Sequence, residues 1–215
     1  LAADLSGLSS STGAVTAAFD GTGTFTGNLG TATVTVDNGG TMTTTAAKAT
    51  GKTINEAVGE NATVAITALD QTLAADLSGI TTNAVTAAFD TTGTFTGNLG
   101  TATVTVADSV TMTAAYNVLN GKTVNHDGSE SSQALVVTIA SADAAADLAN
   151  ITSDITDLTA NFSQTQTFIG NLNSKTASVT DGITVTATAA DVTGDTIAAA
   201  GSGSIAVTAL HSTLA

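Results

Sequence analysis

The sequence predicts an all-β fold, a tandem array of three repeats of about 71 residues each. Three observations predict it. First, the stretch AVTAAFDGTGTFTGNLGTATVTV at 14–36 returns at 84–106 with one change, Gly21 becoming Thr91. It returns again at 157–179 as DLTANFSQTQTFIGNLNSKTASV. Second, short runs rich in Thr and Val alternate polar and apolar residues, the two-residue period of a strand. Third, Asp-Gly-Thr-Gly and Gly-Asn-Leu-Gly clusters punctuate those runs as turns. The repeats span 1–72, 73–143 and 144–215. Each reads as a small antiparallel β-sandwich-like module. A parallel β-solenoid is the alternative. It ranks second because no integral number of near-equal coils divides the repeat.

Each repeat opens on AADL, at 2–5, 74–77 and 145–148. Thr72 is a candidate cap for one helical turn there, and Gly79 a candidate stop. In the third repeat Leu148, Ile151, Ile155 and Leu158 have helical spacing, which predicts a longer helix. The segments AVTAAF, GTFTGNL and TATVTV then read as strands. All six phenylalanines fall in this stretch: Phe19, Phe25, Phe89, Phe95, Phe162 and Phe168. They are expected to anchor the core. A hairpin is expected next, with Val36 facing Met42 across DNGGT, Val106 facing Met112, and Val179 facing Val185. Two residues further out, Val34 then faces Thr44, Val104 faces Ala114, and Ala177 faces Ala187. Short strands follow at 52–55, 122–125 and 195–198, then a loop that differs in every copy and reads as an exposed tip. Apolar strands close the repeats from 63, 134 and 204.

Eighteen acidic residues stand against four lysines, giving a net charge of -14. That balance repels nucleic acid and anionic membrane surfaces. No apolar run approaches a membrane span, so the chain is not expected to cross one with a helix. There is no cysteine and no proline, so neither disulfides nor thiolate metal sites hold it together. Leu1–Leu5 matches Leu73–Leu77, and Leu214-Ala215 matches Leu73-Ala74. The array is therefore expected to continue on both sides.

The run VAITALDQTLAADLSGI at 64–80, followed by AVTAAFD at 84–90, resembles tandem repeats of giant secreted surface proteins of aquatic bacteria. The resemblance covers all three repeats. It implies an extracellular, cell-surface role of the S-layer, filament or adhesin kind. Some such proteins also carry calcium-binding Gly-Gly-x-Gly-x-Asp nonapeptides, which are absent from this sequence.

The chemistry-bearing residues are few. His126 and His211 have no carboxylate or nucleophile at a repeated offset, so no enzyme activity is expected. No cofactor is required. Calcium is the candidate ion, because hard carboxylate oxygens recur at the repeat start in Asp4, Asp76 and Asp147, with Asp70 beside Asp76 across a repeat junction. The other reading of these residues is as turn and cap residues. Thr31, Thr33 and Thr35, with Thr101, Thr103 and Thr105, alternate along predicted strands. They are the candidate binding face, for ice, a glycan or another surface; the other reading is a solvated β face. The sequons at Asn61, Asn150 and Asn161 are candidate glycan acceptors. The functional expectation is an extracellular structural repeat, acting as spacer and scaffold and associating with further copies. An adhesive or ice-binding module is the alternative.

Overall fold

A computed structural model describes residues 1–59, 61–128 and 132–210. His211 and Leu214-Ala215 lie outside the described residues. The chain divides into two compact units, Leu1–Ala107 and Asp108–Ala215. The first holds strands β1 (Thr16–Phe19), β2 (Thr22–Thr24), β3 (Thr33–Val36), β4 (Thr41–Thr45), β5 (Ile54–Glu56), β6 (Thr63–Thr67), β7 (Ile80–Thr81), β8 (Ala84–Phe89), β9 (Gly93–Phe95) and β10 (Thr103–Val106). The second holds β11 (Thr111–Ala115), β12 (Val124–His126), β13 (Ala134–Ile139), β14 (Asp157–Phe162), β15 (Gln166–Phe168), β16 (Thr176–Val179), β17 (Thr184–Thr188), β18 (Thr196–Ala199) and β19 (Ser204–Thr208). One-turn helices α1 (Ala46–Ala49), α2 (Tyr116–Leu119) and α3 (Ala189–Val192) follow β4, β11 and β17. None of the described helices is long and apolar enough to cross a membrane.

The all-β class holds, but the antiparallel sandwich does not. The ladders between these strands are parallel. In the first unit β1, β3, β5 and β7 form one sheet, and β2, β4, β6, β8 and β10 lie in order in a second. Thr22 pairs with Thr41, Thr41 with Thr63, and Thr63 with Ala84, so each coil is about 20 residues long. The second unit repeats this with β11, β13, β14, β16 and β18 in one sheet and β15, β17 and β19 in another. Each unit is a two-sided parallel solenoid.

The hairpin is the second correction. β3 and β4 lie in different sheets and do not pair with each other, nor do β16 and β17. Val34 pairs with Ala17 and Ile54, not with Thr44. The loop Asp37–Gly40 carries the chain from one sheet to the other. Its Gly40 amide donates to Asp37 O, and the Thr41 amide reaches back to Gly21 O in the preceding coil. Turn-forming residues serve such an arc as well as they serve a hairpin, which is why the composition misleads. The predicted inside and outside are correct all the same: Val34, Val36, Met42 and Thr44 are all buried. Thr44 keeps its hydroxyl satisfied by donating to Phe25 O at 3.1 Å. Its counterparts Ala114 and Ala187 need no partner.

The predicted helices are the third correction. The residues from Thr72 to Leu77 are not helical; a short 3-10 turn, Leu69–Gln71, precedes them. The longer helix expected across 148–158 is a 3-10 turn at Leu148–Asn150, and β14 begins at Asp157. All four of its apolar residues are nonetheless buried. The six phenylalanines are core residues, each 5% exposed or less. Phe162 and Phe168 meet edge to face at 5.1 Å.

The absence of integral coils from the repeat has a structural cause. One period, from β1 up to its copy β8, holds seven strands taken alternately by two sheets. Seven strands make three and a half coils. β8 therefore joins the sheet that β1 is not in, adding to β6. In the second unit β14, the next copy, adds to β13, the copy of β6. Both repeat boundaries, 72/73 and 143/144, are thus spanned by continuous ladders.

Candidate functional site

Two features are repeated often enough to carry function: the outward threonine columns and the corner where AADL meets Gly-Asn-Leu. On the even-numbered sheet of the first unit, Thr22, Thr41 and Thr63 stack in one column ending at Ala84. Thr24, Thr43, Ala65, Thr86 and Thr103 stack in a second. Neighbours within a column are about 4.8 Å apart, and the columns about 6.6 Å apart, as parallel strand geometry sets them. The second unit interrupts the same pattern: Thr113, Val136, Thr159, Thr176 and Thr196 form its column richest in threonine.

The predicted threonines are divided by this geometry. Thr31 and Thr101 lie in turns ahead of the strands. Thr33 stacks on Thr16, and Thr35 on Ala18 and Asn55, in the odd-numbered sheet. Thr103 stacks on Thr86, and Thr105 on Ala88, in the even-numbered sheet. Equivalent threonines of successive repeats thus emerge on opposite sheets, a direct result of the half coil. A face of uniform chemistry has to be assembled from non-equivalent strands.

The candidate metal ligands are corner residues. Asp4 bridges to Asn28, Asp76 to Asn98, and Asp147 to Asn171. Each side chain closes its own Asx turn. Asp4 accepts from the Ser6 amide at 2.9 Å, Asp76 from Ser78 at 3.0 Å, and Asp147 from Ala149 at 3.0 Å. The asparagines do likewise: Asn28 accepts from Gly30, Asn98 from Gly100, and Asn171 from Asn173. One Asx turn is therefore stacked on another in every repeat. Asp70, largely buried, accepts from the Thr91 hydroxyl at 2.6 Å and the Asp90 amide at 3.3 Å. Among the described residues no group of three or more acidic or histidine side chains converges. Elsewhere, His126 faces Asp154 at 3.5 Å, and its amide donates to the same carboxylate at 2.7 Å. Sequence reasoning missed the asparagine half of the corner; its signal was an Asn at nearly constant distance after each AADL aspartate.

Asp4 and Asp76 titrate below the ordinary carboxylate range, because the Ser6 and Ser78 hydroxyls, and then their amides, favour the charged form. Asp181 is lowered in the same way by the Ser202 amide and then its hydroxyl, whereas burial raises Asp195. A lowered folded-state pKa contributes stability that is present above the unfolded value near 3.8 and lost as pH falls through the folded value. Replacing Asp4 and Asp76 together by Asn keeps the turn acceptor and removes the titration. The double variant is expected to show a smaller shift of its urea midpoint between pH 7 and pH 3 than the parent chain. An equal shift would remove these two carboxylates from the account.

No family model, curated protein or solved structure matches this chain.

Proposed function

We propose that this chain is a structural, non-enzymatic segment of a long extracellular surface protein, fibre or lattice, acting as spacer and scaffold and associating with further copies. The observation that carries the reading is the repeat junction. β6 passes to β8 and β13 to β14 by ladders of the same kind as those within a repeat. A further repeat therefore lengthens a sheet and brings no linker with it. Load along such a segment is borne by rows of backbone hydrogen bonds, and stability accrues through neighbour contacts. The acidic, sparsely charged surface and the resemblance of the AADL units to secreted surface repeats support the location.

Limited proteolysis tests the reading. The chain is expected to resist cleavage at 72/73 and 143/144 as well as it does within a repeat. Release of fragments of about 71 residues would mean independent beads on a flexible string, and would overturn it. A second reading has one observation in its favour, the paired threonine columns of the even-numbered sheet, whose regular hydroxyl spacing suits ordered water or ice. The same preparation is then assayed for thermal hysteresis. A spacer gives none, and a measurable freezing gap would transfer the assignment to the threonine face.

A further inference from the structure

The sequence holds two Asn-Gly dipeptides, Asn38-Gly39 and Asn120-Gly121. In such a pair the backbone can attack the side chain before it. Glycine has no Cβ to keep its amide nitrogen away from the asparagine carboxamide. The attack needs that nitrogen free to lose its proton and the carboxamide free to turn. The fold treats the two pairs in opposite ways.

Asn120-Gly121 is held at both ends. The Gly121 amide donates to Asn150 O at 3.0 Å. The Asn120 carboxamide oxygen accepts from the Tyr116 hydroxyl at 3.2 Å. Asn38-Gly39 lies instead in the arc between β3 and β4, where Asp37, Asn38 and Gly39 are all exposed. The Gly40 amide closes this turn onto Asp37 O, and Gly39 takes its positive-φ position at 73°. Among the described residues the Gly39 amide has no acceptor, and the Asn38 carboxamide makes no hydrogen bond. The carboxamide rests against Gly59 of the next coil, where an added Cβ would fall 2.5 Å from Nδ2.

We propose that Asn38-Gly39 is a site of self-modification, and that the fold spares Asn120-Gly121. The Gly39 nitrogen bonds to Asn38 Cγ. The Cγ–Nδ2 bond breaks, and Nδ2 leaves as ammonia with the proton that the Gly39 nitrogen gave up. A succinimide ring remains. Water then opens one of its two carbonyls. Opening at Cγ gives aspartate. Opening at the Asn38 main-chain carbonyl gives isoaspartate, which adds a methylene to the main chain of the arc. Either product adds one negative charge. Aspartate is what the other repeats already carry at this place, as Asp108 and Asp181. Asp181 rests against Gly201 as Asn38 does against Gly59. It accepts from the Ser202 amide at 2.6 Å and the Ser202 hydroxyl at 2.8 Å. The reaction thus puts a carboxylate in the first repeat where the third repeat uses one.

Peptide mapping by mass spectrometry tests the proposal on the folded full chain, aged at mildly alkaline pH. Conversion replaces –NH2 by –OH, so the peptide carrying position 38 gains that mass difference and splits into two isomers. Position 38 is expected to convert about tenfold or more faster than position 120, where two hydrogen bonds must first open. In urea the two rates are expected to converge, because unfolding removes those bonds and leaves the same dipeptide. Asn38→Gln lengthens the side chain by one methylene. It is expected to abolish the signal at position 38 and leave position 120 unchanged. A folded chain in which position 38 stays intact, or converts no faster than position 120, overturns the proposal. So does a difference between the two positions that persists in urea.

Discussion

Gly97→Ala is expected to destabilise the chain by about 3 kcal/mol or more. An added Cβ would lie 2.0 Å from the Ala75 carbonyl oxygen and 2.7 Å from the Ala75 amide nitrogen. Both are backbone atoms of the stacked AADL segment, so no side chain can swing away. Relief requires parting two segments joined by the Asn98-to-Ala75 and Leu77-to-Asn98 hydrogen bonds. Gly97 has no positive φ. An alanine there would ordinarily stabilise by reducing the freedom of the unfolded chain, so the sign of the effect reports the clash alone. Gly27 and Gly170 meet Ala3 O and Ala146 O at 1.9 and 2.0 Å. Gly27→Ala is expected to cost less than Gly97→Ala, because Ala3 is exposed whereas its counterpart Ala75 is buried. Gly13→Ala, whose nearest neighbour is Ser10 Oγ at 3.6 Å, serves as the control and is expected to stay within about 0.5 kcal/mol of the parent. Urea midpoints followed by circular dichroism measure these variants. A Gly97→Ala midpoint equal to that of Gly13→Ala would remove the close corner from the structure.

Phe89→Ala is expected to cost about 3–5 kcal/mol. The ring is fully buried on β8, the strand that carries the chain from one repeat into the next. Its backbone neighbour Val106 is equally buried, so the vacated volume has no short route to collapse. Phe162→Ala, at the copy of this position on β14, is expected to behave alike and also loses the edge-to-face contact with Phe168. Phe19→Ala is expected to cost less, because Phe19 already borders an apolar cavity of about 260 Å³. The same urea experiment ranks the three variants. Equal losses at positions 19 and 89 would contradict the difference in packing between a ring that borders a cavity and one that is sealed.

Much of the core is legible in the residues themselves. Val34, Val36, Met42, Val64 and Ile66 fall on the inward beat of an alternating pattern, and each is buried. The Gly-Asn-Leu triplet kept in all three repeats has a part for each residue. Gly27 admits the AADL backbone, Asn28 closes an Asx turn, and Leu29 enters the core. The AADL aspartates are legible as turn residues or as ligands but not as one of the two, because a carboxylate suits both. In all three copies the carboxylate accepts from the amide two residues on and closes a turn. The threonine face is only half legible. Thr33 and Thr103 are the same residue of the repeat, yet they sit in different sheets.

The residues by themselves determined which side chains face inward, where the chain turns, and that the unit recurs. Only the tertiary structure decided which strand lies beside which. The physical reason is that alternation has a period of two whatever the partner, and the ladder is made of backbone groups that every residue shares. A hairpin of β3 with β4 and a parallel ladder of β3 with β1 and β5 ask the same burial of Val34 and Val36. The choice between them comes from stacked corners, where Gly27, Gly97 and Gly170 let one coil close onto another. The seven strands of the first period then send the second copy of the repeat to the opposite sheet, a consequence of the coil count that no single repeat displays.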